Sequence, residues 1–515
     1  MTEWQTAARY TPGEWVQMQS RLIPTKTALI FDDTNISYEE LNRRARRAMA
    51  ALHHAGVCQG DRVATLLPNR PEFVELLLGC SLIGAVCVPL NLRLAPEEIA
   101  YMLEDSQPKV FIWDASQRDR AHAALAALID KPAPSIAVEI GGAINEQADR
   151  YEDWLAERHA QITYQPREED LLLLVYTSGT TGGPKAAAIT HSNELWNVLN
   201  ASSDLAAQNQ VFLHTTPLFH VGGLTLLLWG LYYGATAVLH PTFHPVAALE
   251  AIEKHRVTYA FMAPAMWQAV MQLPDFDQYD LGSLERCLTG GGPCPRHIYD
   301  FFLKRHIAFS TTYGLTEAGG PALRVPPRDS WSKVGAAGIP MMHTAVRLVD
   351  ENGCDVADGE MGELLLRGPH MMAGYWGRPD ETAAAIQDGW FHTGDVARQD
   401  EDGFYYIVDR KKDMIIASAS NIYPSEVEAV LLQHPDIADA AVIGVPHESL
   451  GQTPAVIAVP KPGKTLSLPD LQGFCQRMLA EYKIPTRLHV VDALPRNATG
   501  KVLKHELRNR FAGPT

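Results

Sequence analysis

Through residues 1–165, short apolar runs alternate with stretches in which apolar side chains recur every three or four positions. The runs predict buried strands, and the spaced stretches predict helices that cover them. Ser37 and Glu40, three residues apart, form a capping-box pattern that opens an arginine-rich helix to about His54. Residues 60–67 read as a turn and strand, 71–84 as a helix burying Phe73, Leu76, Leu77 and Ile83, and 85–89 as a second strand. Pro96 and the two glutamates after it mark another helix entry, as the helix dipole favours. The 131–150 stretch is polar, without period, and reads as a surface connection. Such alternation predicts parallel α/β layers. A second α/β set follows over 166–325. Within it, residues 221–239 are uncharged and nearly long enough to span a bilayer, but they contain four glycines and no closely flanking basic residues. We read them as a buried helix, broken at Gly234, and then a strand.

The pattern changes after residue 326. Strands alternate with Gly, Asp and Asn turns up to residue 409, which predicts a small β-rich subdomain. The charged run Asp409-Arg-Lys-Lys-Asp413 lies between two apolar segments and marks the main boundary. This gives an N-terminal core over 1–409 and a C-terminal domain over 410–515. The latter reads as α+β: a capping box at Ser425 and Glu428 opening a helix, strands at 440–445 and 455–459, a helix over 468–481 and a strand at 487–491. The fold class expected is multidomain α/β, with two α/β subdomains and a β-rich subdomain in the large part and a small α+β domain behind them.

Composition supports this reading and removes several function classes. The 515 residues are 46% hydrophobic and 20% charged, enough apolar material for more than one core. A net charge of -16 argues against a broad nucleic-acid-binding face. The seven cysteines are scattered with no C-x-x-C pair, which fits reduced thiols in the cytoplasm rather than a disulfide framework or zinc site. The start of the sequence has no basic region followed by an apolar core, so no secretory signal is read there.

Candidate chemistry concentrates at residues 171–185, LLLLVYTSGTTGGPK. A buried strand stops in a loop of glycines and hydroxyl residues. Glycine lets backbone N–H groups converge, and the hydroxyls of Thr177, Ser178, Thr180 and Thr181 add donors beside Gly179, so the loop suits a polyphosphate. Lys185 supplies a positive charge. Pro184 before that lysine and Ala186 after it exclude a Walker A motif. His220 lies between an apolar strand and the Gly222-Gly223 pair, which suits a pocket wall. His240 and His244 are separated by Pro241 and are assigned no metal role. Gly290, Gly291 and Gly292 allow close approach of a flat group, Tyr313 can stack on a base, and Glu317 is a hard oxygen ligand suited to Mg²⁺. Asp395, in GWFHTGD, can accept two hydrogen bonds from a ribose diol. Together these make a nucleotide site.

TSGTTGGPK, YGLTEAGG, GELLLRGPHMMAGYW, GWFHTGD, DRKKDMI, NIYPSEVE and LPRNATGK occur in one order over nearly the whole chain. This set closely resembles the adenylate-forming superfamily of acyl-CoA synthetases, luciferases and adenylation domains, and within it bacterial acyl-CoA synthetases. The resemblance implies an ATP-dependent acid:CoA ligase, with ATP, Mg²⁺ and CoA as cofactor and co-substrates and a small carboxylic acid as partner. It leaves room for a homodimer and implies no nucleic acid and no membrane span. It further implies that residues 177–185 hold the β- and γ-phosphates, that Thr316 contacts the α-phosphate, and that Glu317 binds Mg²⁺. Tyr313, Gly314 and the 290–292 backbone would flank adenine, Asp395 and Arg410 would hold the ribose, and His220 would lie near the acyl carboxylate. Lys412 falls at the hinge of a mobile C-terminal domain, and Lys501 would be the catalytic lysine.

One departure stands out. Ser418 and Ala419 occupy positions where the family commonly has a glycine pair near the pantetheine channel. That departure motivates an alternative in which a carrier-protein thiol replaces CoA. The apolar 221–239 stretch alone motivates a third reading, a non-catalytic or membrane-associated protein. The glycines at 222, 223, 290 and 314 are expected to leave room for a bulky or aromatic acid; medium-chain, aryl and arylalkenoic acids all fit that expectation.

Overall fold

The computed structural model describes residues 11–128, 131–141, 149–155, 164–177, 184–201, 209–292, 294–417, 420–447, 451–496 and 500–512. They form two compact units. The first comprises residues 1–335, 340–345 and 367–389, the second 336–339, 346–366 and 390–515.

The first unit is built on two sheets. In one, the strands run in the order Gly374–Tyr375, Lys185–Thr190, Leu171–Thr177, Val86–Pro89, Arg62–Leu66, Val110–Asp114, Ile136–Ile140 and Asp149–Arg150. From Leu171–Thr177 onward the pairs are parallel. The other sheet has a parallel body of Phe309–Leu315, Arg286–Thr289, Tyr259–Met262, Val211–His214, Thr236–Leu239 and Thr27–Phe31. An antiparallel strand closes each end of that body, Gly320–Arg324 and Thr34–Ser37. Parallel strands covered by helices read as continuous apolar runs, and Leu172, Leu173, Leu174 and Val175 are all buried.

The helices follow the expected signals closely. Tyr38–His54 is capped by the Ser37 side chain on the Glu40 amide, and Pro71–Ile83 and Pro96–Ser106 begin at their prolines. Residues 221–239 resolve into helix Val221–Tyr233 and strand Thr236–Leu239, broken at Gly234. No helix among the described residues is long and apolar enough to cross a membrane.

The second unit holds two sheets, the second of them mixed, since Arg487–Val490 runs parallel to its neighbour Gly451–Pro460. Ala345–Val349, Met361–Arg367, Trp390–Gln399 and Tyr405–Arg410 form one sheet. The other pairs Ile437–His447 with Gly451–Pro460, flanked by Ile415–Ala417 and Arg487–Val490. Alternate residues of the long hairpin face opposite sides, and both sides are buried. Val442, Val456 and Ala458 pack with helices Pro424–Leu431 and Leu468–Cys475, while Ile443, Val445 and Ile457 pack with Leu494 and Leu507.

Two expected boundaries differ. The helix at 424–431 carries no side-chain cap, because Ser425 bonds Val408 and Asp409 instead. Glu428 serves the Val442 amide and Lys504. The helix from 468 ends at Cys475, with a separate 3-10 turn at Glu481–Lys483.

Helix His191–Asn200 is unusual in burying a polar face: His191, Glu194 and Asn197 are each inaccessible to solvent. Burial raises the Glu194 carboxyl to about 8 from an ordinary value of 4.5. The folded state therefore retains this proton between those values while the unfolded chain loses it. Stability falls as pH rises through that window, by up to about 1.4 kcal/mol per pH unit. Glu194→Gln is expected to flatten the thermal-stability profile between pH 5 and 8 and to exceed the native protein in Tm at pH 8. Superimposable profiles for the two proteins would show that Glu194 is not neutral in the fold.

Candidate functional site

The phosphate-loop candidate lies within a hairpin. Strand Leu171–Thr177 pairs antiparallel with Lys185–Thr190, and Thr177 is registered opposite Lys185. The Thr177 hydroxyl donates to the Lys185 carbonyl at 3.3 Å. Both ends of the loop are thus fixed by the sheet. Ser178, Gly179, Thr180 and Thr181 lie outside the described residues.

Lys185 pairs with the Glu381 carboxylate and stands 5.5 Å from the centre of the Tyr375 ring. The Tyr375 hydroxyl donates to Glu317 Oε1 at 2.8 Å, and the Met372 amide donates to the Glu317 carbonyl at 2.8 Å. Tyr375 therefore touches both the loop lysine and the candidate metal ligand. Its own hydroxyl is held strongly to the protonated form by burial and by the nearby Glu317 charge. No group of three or more His, Cys, Asp or Glu among the described residues is placed to hold a metal alone. A single half-buried carboxylate, with one oxygen already oriented by a phenol, fits a Mg²⁺ ion that takes its other ligands from phosphate and water.

Glu317 sits in the 3-10 turn Thr316–Ala318, directly after strand Phe309–Leu315 with Tyr313 and Gly314. The neighbouring parallel strand Arg286–Thr289 ends at Gly290–Gly292. The geometry corrects the expectation about the glycines. A Cβ on Gly314 would lie 2.1 Å from the Gly320 carbonyl oxygen, one on Gly223 2.3 Å from the Pro217 carbonyl oxygen, and one on Gly290 2.5 Å from that of Thr312. These three glycines permit backbone to approach backbone and leave no room for an acid. Gly222 and Gly290 instead share a neighbour, since a Cβ on either would be 3.2 Å from an edge carbon of Phe261. Phe261, partly exposed, is the aromatic group of this wall.

His220 caps helix Val221–Tyr233, with its Nδ1 accepting from the Gly222 amide at 3.3 Å. The residue keeps some accessible surface, yet its ring is enclosed enough that burial lowers it to about 4. It is neutral at pH 7, and with Nδ1 accepting, the proton sits on Nε2, a donor.

In the second unit, Asp395 and Arg410 are cross-strand partners, and Arg410 Nε lies 2.5 Å from Asp395 Oδ1. Asp395 is buried, with its amide donating to the Thr393 hydroxyl at 3.0 Å. Lys412 lies in the turn Lys411–Asp413 that follows, where Lys411 pairs with Glu363 and Asp413 with Arg508. Lys501 follows Gly500 in a loop closed by the bridge between Arg496 and Val502. Surrounding protein, and then the Arg410 charge, lower the Lys501 ammonium to about 8; Asp395, Lys412 and Asp413 also act on it. By surface area Lys501 is exposed, so water screens part of this effect. The structure thus brings Asp395, Arg410, Lys412 and Lys501 into one electrostatic neighbourhood. Ser418 and Ala419 lie outside the described residues.

Sequence reasoning assigned no role to Tyr375, Glu381 or Phe261. The first two fall in or just after GELLLRGPHMMAGYW, which carried the resemblance but offered no residue-level chemistry.

Comparison with known proteins identifies the family. The family profile described as AMP-binding enzyme matches residues 16–376, and that of the AMP-binding enzyme C-terminal domain matches 426–501. Feruloyl-CoA synthase of an Amycolatopsis species is 40% identical over 97% of this chain and 99% of its own length. Indoleacetate–CoA ligase of Aromatoleum aromaticum is 36% identical, covering 98% of each. The o-succinylbenzoate CoA synthetase of Bacillus subtilis, solved with its acyl-adenylate intermediate, superposes with a TM-score of 0.84 at 31% identity, over 97% of this chain and 99% of that one.

The close approach at Gly314 gives a direct test. Gly314→Ala is expected to separate the Phe309–Leu315 and Gly320–Arg324 strands, with a loss of about 1–3 kcal/mol in denaturant unfolding and weaker ATP binding by calorimetry. An unchanged unfolding midpoint would contradict the packing described.

Proposed function

Because the chain belongs to the AMP-binding enzyme family, we propose that it is an ATP-dependent acid:CoA ligase acting on an aromatic carboxylic acid. The acid is activated as acyl-AMP with release of pyrophosphate, and the acyl group then passes to the CoA thiol with release of AMP. The proximity of Lys501 to the Asp395–Arg410 pair carries this reading. Relatives named for feruloyl, indoleacetate and succinylbenzoate groups support an aromatic acid, as does the Phe261 ring against the glycine wall.

In the first step a carboxylate oxygen forms a bond to the α-phosphorus while the bond to the pyrophosphate oxygen breaks. Lys501, cationic at neutral pH, offsets repulsion between the two anions and the charge growing on the phosphoryl oxygens. Thr316 assists at the α-phosphate. Thr177 to Lys185 hold the leaving pyrophosphate. Asp395, oriented by Arg410, accepts from the ribose hydroxyls, and Tyr313 with the 290–292 backbone flanks adenine. His220 donates from Nε2 to the acid's carboxylate. Glu317 is the residue that holds Mg²⁺, which when bound neutralises phosphate charge.

In the second step the CoA sulfur attacks the acyl carbonyl and AMP leaves. That attack needs Lys501 withdrawn, which assigns residues 410–515 as the mobile part and Lys412 as its hinge. The separate profile over 426–501 and the short turn at Lys411–Asp413 support this division. The names of the relatives favour CoA over a carrier protein as acceptor. Seven free thiols support a reducing, cytoplasmic setting, and the acidic net charge supports small-molecule partners rather than nucleic acid.

Purified protein with ATP, Mg²⁺ and CoA is expected to release AMP with ferulate, indoleacetate or a benzoate derivative and far less with octanoate; the reverse order would reject the aromatic assignment. Lys501→Ala should abolish acid-dependent pyrophosphate exchange while leaving thioester formation from supplied acyl-adenylate largely intact. Equal loss of both halves would refute the lysine's confinement to the first step. Since the ammonium is the active form, pyrophosphate exchange in the native enzyme should decline as pH rises above about 8, with thioester formation not sharing that limb.

A further inference from the structure

Two helices, Val221–Tyr233 and His191–Asn200, each place one buried polar residue on the same atom. Thr225, in the middle of the otherwise apolar helix Val221–Tyr233, donates its hydroxyl to the Gly319 carbonyl oxygen at 2.6 Å. Asn197, on the buried face of helix His191–Asn200, donates its side-chain amide to that oxygen as well. The two side chains also meet each other, 3.4 Å apart. A carbonyl oxygen has two lone-pair directions, so two donors fix the orientation of this peptide plane. Gly320 makes the approach feasible: a Cβ there would come within 2.8 Å of the Thr225 hydroxyl and 2.9 Å of the Asn197 amide nitrogen, and its φ of +148° is one that other residues rarely adopt.

The clamped peptide closes the turn that carries Thr316 and Glu317, and the Gly319 amide returns to the Thr316 carbonyl at 3.0 Å. From its other side the turn is held by Tyr375 and Met372 on Glu317. We propose that Asn197 and Thr225 are positioning residues that set the Glu317 carboxylate for the Mg²⁺ of the ATP complex. Neither touches substrate. Thr225 also follows His220 by five residues on one helix, about 7.5 Å along its axis, so the same rigid element supports the acid-binding histidine and the metal-ligand turn. The inference rests on the reading of Glu317 as the Mg²⁺ ligand.

The test is calorimetric ATP binding, without acid or CoA, in Mg²⁺ and in EDTA. The difference between the two conditions isolates the metal's contribution. Thr225→Val keeps the shape and removes the donor; it is expected to reduce ATP affinity about tenfold or more in Mg²⁺ and little in EDTA. Thr225→Ser, which restores a hydroxyl, should recover most of the loss. Asn197→Ala provides the same reading from the other helix should Thr225→Val not fold. Glu317→Gln is the control for the underlying assignment. If it leaves the Mg²⁺ increment intact, the ligand assignment itself fails. If it removes the increment while Thr225→Val and Asn197→Ala keep it, the clamp is overturned. Equal losses in Mg²⁺ and EDTA for the clamp variants would mark them as merely structural and also overturn it.

Discussion

Two anions have to meet in this enzyme, a carboxylate and a polyphosphate, and that constraint bears on how each unit holds its own cations. A free cation cluster would repel itself and attract any anion. Here cations are held by specific carboxylates. Lys185 is held by Glu381, Arg410 by Asp395, Lys411 by Glu363 and Arg508 by Asp413. Lys501 is set among two further cations, Arg410 and Lys412, which help lower its ammonium toward neutrality. An ammonium in that setting gains most from an approaching phosphate, because the new anion offsets repulsion already present.

The carboxylates need equal control, since an unrestrained one would repel the substrate. Glu317 is bonded at its side chain by Tyr375 and at its carbonyl by Met372, and its turn is anchored through Gly319. Asp395 is buried against Arg410 and locked by a short-range bond to Thr393. Preorganisation of this kind matters because the reaction offers little other covalent chemistry for the protein to perform. Its contribution is to hold charge in place before the phosphoryl oxygens gain more.

Much of the fold was legible because local signals and burial agree. The leucine run at 171–175 has one reading as a buried strand, and the Ser37 cap and the prolines at 71 and 96 place helix starts without tertiary help. The hairpin partner Lys185–Thr190 was not legible: three alanines carry little strand preference, and its pairing is decided by the neighbouring strand. Ser425 failed as a cap for a similar reason, because tertiary bonds to Val408 and Asp409 outcompete the local one. The candidate residues that sequence singles out are those whose type and local setting suggest a task, such as Glu317 and Asp395. Tyr375 was not, since its contact lies 58 residues away and a tyrosine after glycine signals nothing by itself. Gly223, Gly290 and Gly314 misled in the opposite direction, because smallness looks alike whether it admits ligand or backbone.

That last ambiguity has a physical consequence for specificity. If the glycines were open space, the acid pocket could be widened or narrowed by exchanging them one at a time. With the missing Cβ atoms of Gly314, Gly223 and Gly290 facing carbonyl oxygens at 2.1–2.5 Å, exchange displaces backbone before it reshapes a pocket. The side chain at this wall is Phe261, partly exposed, with its ring edges 3.2 Å from where a Cβ on Gly222 or on Gly290 would lie. A flat aromatic ring of this kind offers a stacking face and loses little conformational entropy in doing so. Exchanging that side chain alters the wall without the backbone cost that exchange of Gly223, Gly290 or Gly314 carries.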